Sequence, residues 1–162
     1  MGGAWKDLTF IGEGVNSGFD SEHKGRVFRL HGGSNITFQN LTFKNGRDLV
    51  NDGGNGFWIG ASVNARFIDC TFSGHTPDHA DPDSPTDYKG SNGRGGAIHK
   101  TEMGNLYLYN CTFMANENRQ GNAINLGGGT FVASGCRFMA NTSKINGEGG
   151  AIFFWTMVNV QS

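Results

Sequence analysis

One heptad limits how this chain can fold. It is clearest as Asn110-Cys111-Thr112-Phe113-Met114-Ala115-Asn116 and returns as Gly135-Cys136-Arg137-Phe138-Met139-Ala140-Asn141. Shorter copies are Asp69-Cys70-Thr71-Phe72-Ser73, Asn40-Leu41-Thr42-Phe43-Lys44 and Asp7-Leu8-Thr9-Phe10-Ile11. In each, a turn-prone residue is followed by apolar, polar, Phe, the pattern of a short strand with one buried face. The Phe column (Phe10, Phe43, Phe72, Phe113, Phe138) advances, by subtraction, in steps of 33, 29, 41 and 25 residues. A fixed element at such steps signals a solenoid, and the uneven steps put the insertions in loops.

Three residues before each Phe stands Asp7, Asn40, Asp69, Asn110 or Gly135. These residue types best tolerate the left-handed backbone, so the column marks one sharp bend per coil. A second strand precedes the bend, with Ile36 and Phe38, Ala65 and Phe67, Leu106 and Leu108, and Phe131 and Ala133 on one face by the two-residue period. A third contains Val27 to Leu30, Phe57-Trp58-Ile59, Gly96-Ala97-Ile98, Asn122-Ala123-Ile124 and Gly150-Ala151-Ile152. With 27 glycines and no sustained 3.6-residue apolar period, helix is not expected. The expected fold is all-β: a right-handed parallel β-helix, a single-stranded solenoid of about five coils with three short strands each.

The alternation of Gly95-Gly96-Ala97-Ile98 and Gly149-Gly150-Ala151-Ile152 with Phe113-Met114-Ala115-Asn116 and Phe138-Met139-Ala140-Asn141 resembles the GGA(I/L/V) and FxxN repeats of chlamydial polymorphic outer-membrane proteins. It is also similar to the repeats of adhesin-like surface proteins of methanogenic archaea. More broadly the pattern resembles right-handed, pectate-lyase-like β-helices. The earlier coils depart from it: Phe72-Ser73-Gly74-His75 and Phe43-Lys44-Asn45-Gly46 lack the closing Asn.

One domain spanning 1–162 is expected from the length. A net charge of −1 gives no reason to expect a nucleic-acid partner or a membrane surface. No leader or membrane-spanning stretch is visible, so no direct membrane insertion of this segment is expected. The last residues read as the second strand of an unfinished coil, which suggests a piece of a longer protein. Cys70, Cys111 and Cys136 occupy one column and are expected inward, stacked and unpaired, since three cannot pair completely. The Asn residues of four sequons, Asn35, Asn40, Asn110 and Asn141, read as structural. Asn116 and Asn141 are expected to form a ladder.

The one compositional break runs from His75 to Tyr88, holds all three prolines, and reads as an acidic loop over 75–94 that leaves the stack. Its Asp78, Asp81, Asp83 and Asp87 are the candidate metal ligands, with calcium the ion such carboxylates suit. Their spacing is not that of an EF-hand loop, and no cofactor is otherwise expected. The resemblance to pectate-lyase-like enzymes implies a site on the outward face of the Gly-Gly-Ala-Ile strands. The candidates there are Arg29, Trp58, His99, Lys100, Glu102 and Asn125, with Arg94 where the acidic loop rejoins. Lys100, Arg94 or His99 would carry catalysis; Trp58, Asn125 and Phe153 would bind.

Two functions follow. The first is a non-catalytic extracellular or cell-surface segment of an adhesin-like or passenger-type protein, meeting carbohydrate or a host or neighbour-cell ligand. The alternative is a polysaccharide-degrading enzyme, a polyuronate lyase before a glycoside hydrolase. A lyase needs a base and a cation for the developing charge; a hydrolase needs carboxylates across the bond, and the Asp residues fall in one loop.

Overall fold

The computed structural model describes residues 7–14, 16–49, 53–77, 93–143, 150–155 and 158–161. Every strand pair among them is parallel, and the strands stack in three long sheets and one two-stranded sheet. The pre-bend sheet has six strands: Leu8–Ile11, Asn35–Gln39, Asn64–Ile68, Asn105–Tyr109, Gly129–Ser134 and Val158–Gln161. The Phe sheet has five: Gly18–Asp20, Thr42–Lys44, Thr71–Ser73, Thr112–Met114 and Arg137–Met139. The Gly-Gly-Ala-Ile sheet also has five: Phe28–Leu30, Phe57–Ile59, Ile98–Lys100, Ile124–Leu126 and Ile152–Phe154. This is the all-β parallel solenoid that the heptad demands.

The bends lie where the Asn/Asp/Gly column puts them. Asn40, Asp69, Asn110 and Gly135 have φ of 54°, 52°, 52° and 65°. The first copy of the heptad is a correction. Leu8-Thr9-Phe10 pairs with Ile36-Thr37-Phe38, so Phe10 belongs to the pre-bend sheet. The residue that pairs with Phe43 is Phe19. The Phe column is therefore Phe19, Phe43, Phe72, Phe113 and Phe138. Apolar-polar-Phe reads the same in both sheets, because a strand's period is two wherever it lies.

Asp7 is accordingly not a bend. Its carboxylate accepts a hydrogen bond from Asn35 Nδ2 at 2.8 Å. Asn64 Nδ2 donates to Asn35 Oδ1 at 2.8 Å, Asn105 N to Asn64 Oδ1 at 3.0 Å, and Thr130 N to Asn105 Oδ1 at 3.1 Å. This ladder climbs the outside of the pre-bend sheet.

The interior is one apolar column. Phe38, Phe43, Phe57, Phe67 and Phe72 are fully buried, with Phe28 packed against them. Phe57 meets Phe43, Phe67 and Phe72 edge-on at 4.8, 5.1 and 5.7 Å. Burying each ring contributes about 1.5–3 kcal/mol, and tilted contacts add roughly 0.5–1.5 kcal/mol per pair. From Ala97 onward the interior turns mainly aliphatic: Ile98, Leu106, Leu108, Ala123, Ile124 and Leu126.

A second ladder runs inside, one residue per coil. The Gly46 amide donates to His75 Nδ1 at 2.8 Å, the His75 amide to Asn116 Oδ1 at 3.2 Å, and the Asn116 amide to Asn141 Oδ1 at 3.1 Å. The expected Asn116–Asn141 pair is present, with Asn116 Nδ2 also 2.9 Å from Asn141 Oδ1. His75 does the work of Asn in its coil. These rungs, together with backbone carbonyls of the neighbouring coil, crowd the glycines beside them. A Cβ on Gly96 would lie 3.2 Å from the Asn116 Cβ, and one on Gly56 would lie 2.9 Å from the His75 ring.

Residues 75–77, counted with the acidic loop in the sequence, belong to the stack. His75 is buried, and Thr76–Pro77 pairs with Arg47–Asp48. The chain rejoins at Arg94, which bridges to Gln120. The intervening loop, with Asp78, Asp81, Asp83 and Asp87, lies outside the described residues. Arg26 and Asp48 form a buried ion pair at 2.7 Å, and Asp48 also accepts the Gly53 amide at 2.7 Å.

Candidate functional site

The outward face of the Gly-Gly-Ala-Ile sheet carries one column, Arg29–Trp58–His99–Asn125–Phe153, set by the strand pairing. The sequence placed Trp58, His99, Asn125 and Phe153 there, and the structure agrees. They do not act as one surface. Trp58 is half-buried, with the Arg29 guanidinium 4.6 Å from its ring and His31 at 5.0 Å. Asn125 is fully buried, and its Oδ1 lies 3.1 Å from His99 Nδ1. Phe153 is half-buried at the next rung.

Lys100 is a correction. It stands between Ile59 and Leu126 in an inward column and is buried. Its four-carbon stem replaces an aliphatic side chain. Its ammonium donates to the carbonyls of Thr101 at 2.7 Å and Glu102 at 3.3 Å, and to that of Met103. Burial pulls the Lys100 ammonium down to about 8, while the carbonyl oxygens favour the charged form. Lys100 thus ties down the turn after its strand, where Met103 and Gly104 both have positive φ of 50° and 74°. It faces no solvent-side substrate.

That turn forms one wall of a pocket of about 210 Å³, lined by Ala61, Arg94, His99, Thr101, Glu102, Gly127 and Trp155. The Arg94 guanidinium lies 4.0 Å above the Trp155 indole. Arg94 Nε and Asn125 Nδ2 are buried donors with no hydrogen-bond acceptor among the described residues. Trp155 is 50% exposed. The sequence reading missed it. The signal was present: Gly60, Thr101, Gly127 and Trp155 each follow their strand and donate to the carbonyl of the last residue of the strand below (Leu30, Ile59, Lys100, Leu126). A Trp in a column otherwise held by Gly and Thr is a large ring on a flat shelf.

A wider groove of about 430 Å³ crosses the pre-bend sheet over Asp7, Asn35, Asn64 and Arg66. Its asparagines are already spent on one another, which leaves the Arg94–Trp155 pocket as the stronger candidate. Among the described residues no group of three His, Cys, Asp or Glu converges to hold a metal. The pocket offers a cation, a stacked aromatic face, one carboxylate and a hydroxyl.

The family described as the right-handed β-helix region matches residues 17–161. The chain belongs to the right-handed β-helix family. No curated protein and no solved structure matches it. Membership of the β-helix family fixes the hand of the solenoid. It leaves the chemistry of the pocket to be argued from the side chains.

Proposed function

We propose that this β-helix is a non-catalytic extracellular segment of an adhesin-like or passenger-type surface protein, and that it binds carbohydrate in the Arg94–Trp155 pocket. The observation that carries the reading is the half-exposed Trp155 under the Arg94 guanidinium, next to Thr101 and Glu102. An indole offers a flat apolar area to the C–H face of a sugar at little entropy cost, and the guanidinium and carboxylate suit its hydroxyl and carboxyl groups. The lyase alternative loses its lysine base, because Lys100 points into the core and is held by backbone carbonyls.

The test is binding of the chain to an array of neutral and acidic oligosaccharides, with Trp155→Ala as control. We expect retention of a subset by the parent, at least a tenfold loss in the variant, and unchanged circular dichroism. Equal binding by both would move the site elsewhere. Release of unsaturated or reducing ends from a retained polysaccharide would replace the binding reading with the enzymatic one.

A further inference from the structure

The Lys100 ammonium is surrounded by backbone oxygen. It donates to the carbonyls of Thr101 at 2.7 Å, of Glu102 at 3.3 Å and of Met103, consecutive residues of one turn, and lies 3.5 Å from the carbonyl of Gly60 in the coil below. An ammonium has only donors, so converging carbonyls satisfy it, and its charge strengthens each bond. The other coils close their turns differently. Leu30, Ile59 and Leu126 hold the same inward column. After Ile59 the backbone closes the turn itself, the Val63 amide donating to the Gly60 carbonyl at 3.4 Å, and after Leu126 the link is only Gly127-Gly128. With Ile59 on one side and Leu126 on the other, Lys100 sits between complete coils. A Cβ on Gly127 would lie 3.2 Å from the Glu102 nitrogen, so the next coil packs directly on the turn. The outer surface of the turn is the pocket wall, where Thr101 and the exposed Glu102 stand with Arg94.

We propose that the carbonyls of Gly60, Thr101, Glu102 and Met103 form a monovalent-cation cage, occupied by the chain's own Lys100 ammonium, and that this internal cation sets the wall of the pocket. The cage stands on the ammonium contacts; the use made of the wall rests on the carbohydrate reading above. Lys100 is a positioning residue, since it faces the interior and acts through the backbone of Thr101 and Glu102. A tethered ammonium and a free one present the same head to the same oxygens. Lys100→Met keeps most of the apolar stem, which suits a column of Leu and Ile, and removes the charged head. The variant therefore takes up ammonium from solution to complete the cage.

The experiment measures amide hydrogen exchange at Glu102, Met103 and Gly104 in the parent and in Lys100→Met, in tetramethylammonium chloride and in ammonium chloride at equal ionic strength. Tetramethylammonium carries the charge but has no N–H and is too wide for the cage. We expect exchange at least tenfold faster in the variant in tetramethylammonium, a return to the parent rate in ammonium, and no response to ammonium in the parent. Circular dichroism checks that the stack is intact, and Lys100→Leu, the residue at Leu30 and Leu126, repeats the test in a second background. Parent-like exchange in the variants, acceleration that ammonium leaves in place, or equal recovery in tetramethylammonium each overturns the cage. An oligosaccharide retained by the parent should bind Lys100→Met at least tenfold more weakly in tetramethylammonium and recover in ammonium; a loss that ammonium does not reverse overturns the setting of the wall. A parent that retains no oligosaccharide overturns the carbohydrate reading, while the exchange rates alone decide the cage.

Discussion

The two halves of the solenoid share one backbone plan and fill it differently. Up to Phe72 the interior is an aromatic cluster, with Phe28, Phe38, Phe43, Phe57, Phe67 and Phe72 meeting edge-on or stacked. From Ala97 onward it is mainly Ile, Leu, Ala and Cys, with Phe131 and the stack of Phe72, Phe113 and Phe138. The motif alternation is regular only in the second half. Large rings occupy the space that Gly-Ala would otherwise leave small, so the aromatic half has no room for the strict motif and meets the same bend and ladder demands with other residues. His75 in place of Asn is the clearest case.

Truncating the centre of each half is the strongest way to break this comparison. Phe57→Ala should cost about 3–5 kcal/mol, since Phe57 is fully buried among five other rings. Ile124→Val, at the matching inward position of the second half, should cost about 0.5–1.5 kcal/mol. Denaturant melts at pH 7 measure both. Similar costs would mean that the aromatic cluster is no more tightly packed than the aliphatic half.

Acid separates the two ladders next. Burial holds the His75 imidazole neutral and lowers it to about 3. An unfolded His takes up its proton near 6.5, so between about 6.5 and 3 the unfolded chain binds more protons and stability falls as pH falls. From pH 6.5 to 4.5 the loss should be roughly 2–3 kcal/mol by this linkage. His75→Asn installs the residue that the later coils use and should remove most of that slope while keeping the Gly46 amide paired. A parent and variant with parallel pH profiles would show that His75 does not carry the acid sensitivity.

The bends should be less demanding. Asn110→Val forces a β-branched residue to φ near 52° and should cost about 1–3 kcal/mol. Thr112→Val, two residues later on the outer face, should stay within about 0.5 kcal/mol. Equal costs would put the strain elsewhere.

Alkali tests Lys100, the counterpart of Ile59 and Leu126. Its folded value lies below the unfolded one of about 10.4, so the unfolded chain binds more protons between about 8 and 10.4 and stability should rise with pH there. Lys100→Met should flatten that rise in thermal melts. A rise that persists in the variant would assign it to another group.

The bends were legible because a left-handed backbone admits few residue types, so Asn40, Asp69, Asn110 and Gly135 announce themselves. Strand identity was less so. Leu8-Thr9-Phe10 has the alternation of either sheet, and only pairing with Ile36 to Phe38 decides between them. In the site, column membership gave the outward faces of Trp58, His99, Asn125 and Phe153. It gave Lys100 the wrong face because charge was weighed above register, whereas a long stem with carbonyls within reach lets an ammonium end inside. Trp155 stands just past the end of its strand, where the two-residue alternation that marks a face has already stopped.

The outer ladder gives the β-helix an electrical direction. From Thr130 back to Asp7 each donor belongs to the later coil and each acceptor to the earlier one. The Asn35 and Asn64 side-chain amides therefore point the same way, oxygens toward the later coil and nitrogens toward the earlier one, and the Asn105 side-chain oxygen also faces the later coil. Aligned amides sum along an axis, as peptide units do in a helix, and leave partial positive charge at the end where their N–H groups point. That end meets the Asp7 carboxylate. The negative charge of Asp7 thus faces the positive end of a file of aligned amides running through the successive coils, and removing it would act on the whole file and not on one hydrogen bond.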